Sequence, residues 1–304
     1  MKPSSIIIGL AALIAALALI AAGAGLFWQA GGSPFTVTTL RGQTVTMYGQ
    51  GLYRFDTRFM GAGNRGTDAV TLALGIPLLI MATRRYRRGS LRWGLLLVGT
   101  LVYFLYVYAS LALNAAYNDL FLVYVVLFSA SLFAVVLIYA SIDLSALQAH
   151  FLPSLPRRGP ALFMFASGLV TLLIWLAPLL SALFQGQPPE LLGSSTTMVT
   201  DALDLGIITP ATIIAGVLIL RRAPLGYLIA CSLLVLEMLL APMIAAQTIS
   251  QMIAGVTFST GQIVGPIAGF SLLALAAVVV TTVLLRTISD SAQVQAPALQ
   301  PAHT

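Results

Sequence analysis

Apolar runs of about twenty residues, broken by short polar segments, recur eight times along the chain. Each is near the ~20 residues an α-helix needs to cross a bilayer. The pattern predicts spans over residues 5–28, 68–83, 91–113, 120–142, 160–184, 201–220, 225–251 and 263–287. The first run follows Lys2, and Ala22-Gly23-Ala24 would suit a signal-peptide cleavage site. It is longer than the ~7–15 apolar residues of a signal peptide, so it reads as an uncleaved span.

The longest polar insert, 29–66, has a different period. Phe35-Thr-Val-Thr-Thr-Leu40, Thr44-Val-Thr-Met-Tyr48 and Leu52-Tyr-Arg-Phe-Asp56 are rich in Thr, Val and aromatics, with glycines between them. This predicts a small three-stranded β-meander. On its last strand Arg54, Asp56 and Arg58 would share one face. The chain then divides into a first span (1–28), a β-rich extracytoplasmic cap (29–66), spans two to four (67–143), a cytoplasmic loop (144–159), spans five to eight (160–288) and a tail (289–304). The tail is Ala, Gln and Pro with little to bury, and is expected to be disordered.

Composition agrees with the pattern. Of 304 residues, 59% are hydrophobic and 8% charged, against about 25% charged in soluble domains. The expected fold class is an all-α polytopic membrane protein of eight transmembrane helices, with the bilayer as its first partner. The net charge of +6 does not imply nucleic-acid binding, because the basic residues cluster at span ends. With both termini in the cytoplasm, Lys2, Arg84, Arg85, Arg87, Arg88, Arg92, Arg157, Arg158, Arg221, Arg222 and Arg286 fall inside, and Arg41, Arg54, Arg58 and Arg65 outside. That asymmetry satisfies the positive-inside rule.

Two spans open alike. Thr67-Asp68-Ala69-Val70 has Pro77 nine residues after its Asp, and Thr200-Asp201-Ala202-Leu203 has Pro210 at the same distance. Each ends in an arginine pair, Arg84-Arg85 or Arg221-Arg222. Both would enter from the outside, which suggests two parallel four-helix repeats about an axis along the membrane normal. In this alignment Leu91 meets Leu225, and Tyr103 meets Glu237.

Polar residues inside spans are the candidates for chemistry, because lipid cannot satisfy them. Tyr103, Tyr106, Ser110, Asn114 and Tyr117 recur at helical spacing and predict one polar face, with Tyr108 pointing away. Glu237 sits about twelve residues into its span, near the midplane at ~1.5 Å per residue, where an ionised group costs roughly 2.5–3.5 kcal/mol. It reads either as a proton or cation carrier or as a carboxyl hydrogen-bonded to a neighbouring helix. Asp201, Asp204 and Thr212 share a face, and Pro210 leaves the Gly206 carbonyl without its helical donor. Carboxylates beside a freed carbonyl are a transporter's means of holding cations. The plainer reading has Asp68 and Asp201 capping helices and Asp204 paired with an outer arginine.

Arg54, Asp56 and Arg58 could bind an anion, or tie the cap to Asp68, Asp119, Asp201 or Asp204. Gly261, Gly265 and Gly269 read as a helix-packing ladder. The single cysteine, Cys231, and the two histidines, His150 and His303, offer no metal site. No nucleotide-binding loop, dinucleotide fingerprint or hydrolase elbow is present, and no cofactor is expected.

The segments Gly51-Leu-Tyr-Arg-Phe-Asp-Thr57, Tyr117-Asn-Asp-Leu-Phe-Leu-Val-Tyr124 and the stretch from Asp204 through Arg221-Arg-Ala-Pro-Leu-Gly-Tyr227 together resemble an uncharacterised group of bacterial multi-spanning membrane proteins. The resemblance implies a bacterial cytoplasmic membrane and no particular activity.

Three functions compete at this point. The first is transporter-like binding of a small polar solute or cation in an outward-opening pocket. It would be lined by spans two, three, six and seven, through Tyr103, Tyr106, Asn114, Asp204 and Glu237. The second is an accessory, sensory or assembly protein whose polar interior is structural. The third, a membrane-embedded enzyme, is disfavoured by the lack of a histidine within any span.

Overall fold

The computed structural model describes residues 2–28, 31–258 and 260–289, with side chains throughout except over 260–266. The packing around Gly261 and Gly265, together with His303 and the rest of the tail beyond Ser289, lies outside the description. Among the described residues eight helices are long and apolar enough to cross a membrane, and the chain is a multi-pass helical membrane protein.

The first span is α1, Ser5–Phe27. Strands β1 (Phe35–Thr38) and β2 (Thr44–Met47) follow as an antiparallel hairpin, Phe35 opposite Met47 and Thr38 opposite Thr44. The expected third strand does not form. Residues 51–56 fold into turns, and Met47 meets Thr57 in a single bridge. Gly49 and Gly51 take φ of 80° and 63°, a conformation that suits a turn over a strand. Arg54, Asp56 and Arg58 therefore share no strand face.

The second span begins about ten residues before the hydrophobic pattern predicts. It runs as α2 (Arg58–Val70), a π-helical turn (Thr71–Gly75) and α3 (Ile76–Arg87). Thr57 caps it, its hydroxyl accepting from Met60 N at 3.2 Å. The early turns escape a hydropathy reading because they are rich in Gly, Asn and Arg. They are helical because Gly63 and Gly66 lie against Gln251 and the Ala246–Gln247 backbone.

Next come α4 (Leu91–Asn114), α5 (Phe121–Ser141), the short α6 (Leu144–Ala149) and α7 (Arg158–Gln185). The sixth span is α8 (Val199–Leu203), a second π-turn (Asp204–Ile208) and α9 (Thr209–Leu220). The last two are α10 (Pro224–Ile253) and α11 (Thr260–Arg286).

Helices α4 and α10 form the centre and pack on each other; Gly99 sits against Val235 and the Cys231 carbonyl. Around α4 lie α3 and α5, with α1 touching α2, α3 and α5. Around α10 lie α9 and α11, with α7 touching α9 and α11. Each half reaches across to the other: α2 packs on α10, and α8 on α4.

At one end of the bundle Tyr86 donates to Lys2 O and accepts from Ser4 N, Arg92 Nε donates to Ile288 O, and Tyr227 donates to Pro156 O. The hairpin, the Ala115–Leu120 turn and the loops around 190 and 255 gather at the other.

The second and sixth spans share features at one spacing. Asp68 and Asp201 are each followed after three residues by a π-turn and after nine by a proline. Gly89 (φ 83°) and Arg222 (φ 58°) then turn the chain, and α4 and α10 each begin two residues later. This register pairs Leu91 with Pro224. It shifts the earlier alignment by one residue, so that Tyr103 matches Leu236 and Glu237 falls opposite Phe104.

Candidate functional site

Each π-turn arises beside a proline. Thr209 N–H bonds Asp204 O, five residues back, and Pro210 has no N–H. The Leu205 and Gly206 carbonyls therefore lose the regular donor four residues on. Ile76 N–H likewise goes to Thr71 O, and Pro77 frees the Ala73 carbonyl. Single π-turns inside α-helices recur at functional sites.

The first residue of each turn meets a tyrosine of α4. Thr71 Oγ1 and Tyr103 OH lie 2.9 Å apart, and Tyr106 OH donates to Asp204 Oδ2 at 3.2 Å. Tyr103, Thr71 and Asp204 are buried. The indole Nε1 of Trp175, on α7, is buried and without a hydrogen-bond partner among the described residues. Asp201 is buried one turn earlier, in the first turn of α8, whose N-cap is Met198. Asp201 is thus not the cap. Thr212 turns its hydroxyl to Thr209 O at 2.7 Å.

Glu237 faces inward at 7% exposure and accepts from Ser167 Oγ of α7 at 2.7 Å. Its partner comes from the fifth span, which the sequence reading did not include in the pocket. Tyr103 and Glu237 thus engage different neighbours. Asn114, the last residue of α4, lies eight residues or ~12 Å along the axis from Tyr106 and makes no side-chain hydrogen bond among the described residues.

The predicted polar stripe is only partly one. Tyr117 follows the end of α4 and is 78% exposed. Tyr108 is fully buried, stacked between Phe104 and Tyr124, with its hydroxyl unpartnered among the described residues. It lies on a different face of α4 from Tyr106, as the spacing predicts, and neighbours bury that face as well.

A second polar cluster lies nearer the hairpin. Asp68 is in the interior of α2 and caps nothing. Its Oδ2 accepts from Tyr53 OH at 2.7 Å, Tyr124 OH reaches Tyr53 OH at 3.5 Å, and Gly25 leaves room for the carboxylate. Arg65 donates to Tyr48 OH and Leu26 O. Asp56 Oδ1 accepts from Ala116 N at 2.8 Å, while its buried Oδ2 has no partner among the described residues. Burial pushes the Asp56 carboxyl up to about 7, and the Ala116 amide opposes that rise. The Arg54 guanidinium lies 4.8 Å from the Phe55 ring centroid. The expected outer salt bridges of Arg54, Arg58, Asp56, Asp68 and Asp201 do not form among the described residues; Asp68 takes the Tyr53 hydroxyl and Asp56 the Ala116 amide instead.

Clefts open at the surface among the described residues. One, of about 350 Å³, lies at the hairpin end between Thr46, Arg58, Glu190 and Phe258. Another, of about 180 Å³, lies between α1 and α3 near Arg84 and Arg87. Neither is lined by Tyr106, Asp204 or Glu237. Among the described residues no three His, Cys, Asp or Glu side chains gather as a metal site.

No protein-family model, curated protein or solved structure matches this chain. The resemblance drawn from its motifs therefore rests on those residues alone.

Proposed function

We propose that this is a transporter-like protein of a bacterial cytoplasmic membrane, with both termini in the cytoplasm, that binds a small polar solute or cation at Asp204 and Tyr106. The observation that carries this reading is the placement of Asp204. It is a carboxylate at the first residue of a proline-linked π-turn, beside redirected carbonyls, and its hydrogen bond comes from the other half of the bundle. Interrupted helices meeting at a repeat interface are the usual build of a transporter site. The reading makes the halves parallel repeats, α1–α5 and α7–α11. Its support is the shared spacing from Asp68 to Leu91 and from Asp201 to Pro224, and the reciprocal packing of α2 on α10 and α8 on α4. Glu237 and Ser167 form a second, deeper proton-accepting pair.

The test is reconstitution into liposomes holding a pH-sensitive dye, with an imposed potassium potential, and a parallel assay with radioactive sodium. Protein-dependent proton or sodium flux that Asp204→Asn abolishes is the expected result. Flux equal to that of empty liposomes in both assays removes the transporter reading. The accessory reading then takes its place, favoured by one observation: Asp204 and Glu237 each have a protein partner, and neither surface cleft is lined by them.

A further inference from the structure

The cleft at the hairpin end is built from four segments that meet only in the folded chain. These are β2, the start of α2, the short 3₁₀ turn Glu190–Leu192 with Gly193, and the loop after α10. All but the start of α2 lie in connections on the same side of the bundle, between spans one and two, five and six, and seven and eight. The volume of about 350 Å³ falls at the low end of the ~300–1,000 Å³ typical of small-molecule sites.

The chemistry of its walls is mixed. Arg58 and Glu190 are the charged residues that line it. Phe59 and Phe258 meet edge to face at 6.2 Å, and Leu191 and Val256 extend the apolar wall. Arg58 has no hydrogen-bond or ion-pair partner among the described residues, and its Nε is shut off from solvent. Asp56, two residues away, spends Oδ1 on the Ala116 amide. A partly desolvated guanidinium without a carboxylate is completed by an oxyanion, which it can hold through two parallel hydrogen bonds. Glu190 is exposed at the same cleft. A simple anion would meet its charge, and a simple cation would meet that of Arg58. A molecule carrying both charges satisfies both walls.

We propose that this cleft binds a small zwitterion of the amino-acid class with an apolar side chain. Its carboxylate sits at Arg58, its ammonium faces Glu190, and its side chain lies against Phe59 and Phe258. This site is separate from Asp204 and Tyr106 and stands without the transporter reading.

Calorimetric titration of the full-length protein in detergent with L-leucine and L-phenylalanine tests it. Saturable binding is expected, and it should be lost with phenylalanine methyl ester and with N-acetyl-phenylalanine. Arg58→Gln should weaken phenylalanine binding by about tenfold or more. Glu190→Gln is a surface change that leaves the fold intact, and should remove the preference for phenylalanine over its N-acetyl derivative. Three results overturn the proposal: no saturable binding of either amino acid to the wild type, unchanged affinity in a folded Arg58→Gln, or a retained preference in Glu190→Gln. If Arg58→Gln does not fold, the Glu190→Gln comparison decides alone.

Discussion

Thr71 and Asp204 occupy equivalent places in two different spans, and each is joined to a tyrosine of the same helix. Each opens a π-turn, three residues after an aspartate and six before a proline. Tyr103 and Tyr106, one turn of α4, receive them. The pair differs in one respect with chemical consequences: one side offers a hydroxyl, the other a carboxylate. If the two spans are repeats, the second is the one with a titratable group at this position.

Tyr106→Phe removes the hydroxyl that reaches Asp204. Hydrogen bonds between membrane helices contribute about 0.6 kcal/mol on average and up to about 1.7, so the unfolding free energy in mild detergent should fall by that order. Under the proposed function, solute or cation flux should fall far more than stability does. Equal losses in both would assign the bond to packing alone.

Glu237→Gln keeps the shape and an acceptor for Ser167. The variant should fold and melt as the wild type does, while any pH dependence of flux disappears. Ser167→Ala strands a carboxyl inside the bundle and should destabilise by about 1–3 kcal/mol. Thermal unfolding of the two variants side by side checks this order.

Asp56 makes the hairpin end sensitive to pH. Its carboxyl is raised to about 7 by burial, so the folded state holds its proton more tightly than the unfolded state does. Between about pH 4 and 7 the unfolded chain ionises there first. Stability from this group is therefore full at about pH 4 and is lost as pH rises to about 7, by up to ~4 kcal/mol for three units. Asp56→Asn keeps an acceptor for Ala116 N–H and should flatten that part of the melting-temperature profile.

Gly66 is where α2 lies against α10. A Cβ there would overlap the backbone of Ala246 and Gln247, which side-chain motion cannot relieve. Gly66→Ala should cost about 1–3 kcal/mol and should also disturb the Gln247–Thr67 hydrogen bond of 2.8 Å. A Gly66→Ala protein as stable as the wild type would show that the helices can separate freely at this point.

Tyr108 carries a buried hydroxyl without a partner among the described residues. Tyr108→Phe removes an unsatisfied polar group, so it should stabilise the protein by about 1 kcal/mol or more and leave binding at Asp204 unchanged. Urea unfolding of the purified variant measures the gain.

The eight spans were legible in the sequence because length and hydropathy act locally: a run of about twenty apolar residues has few options other than crossing a bilayer. The matching of Asp68 with Asp201 and of Pro77 with Pro210 was legible for the same reason, since a proline acts on its own helix. Asp204 and Tyr106 could be named as candidates from their helical faces. Their meeting is a contact between helices about a hundred residues apart, which only the packing of α8 on α4 produces. Tertiary packing also decided where hydropathy was silent or misleading. It made a helix of the glycine-rich 58–66, replaced the third strand with turns, and buried Tyr108 by covering both faces of α4. It chose Ser167 of the fifth span as the neighbour of Glu237, and left Arg58 without a partner among the described residues in a cleft. None of these has a periodic signal, because each depends on which surface happens to lie opposite.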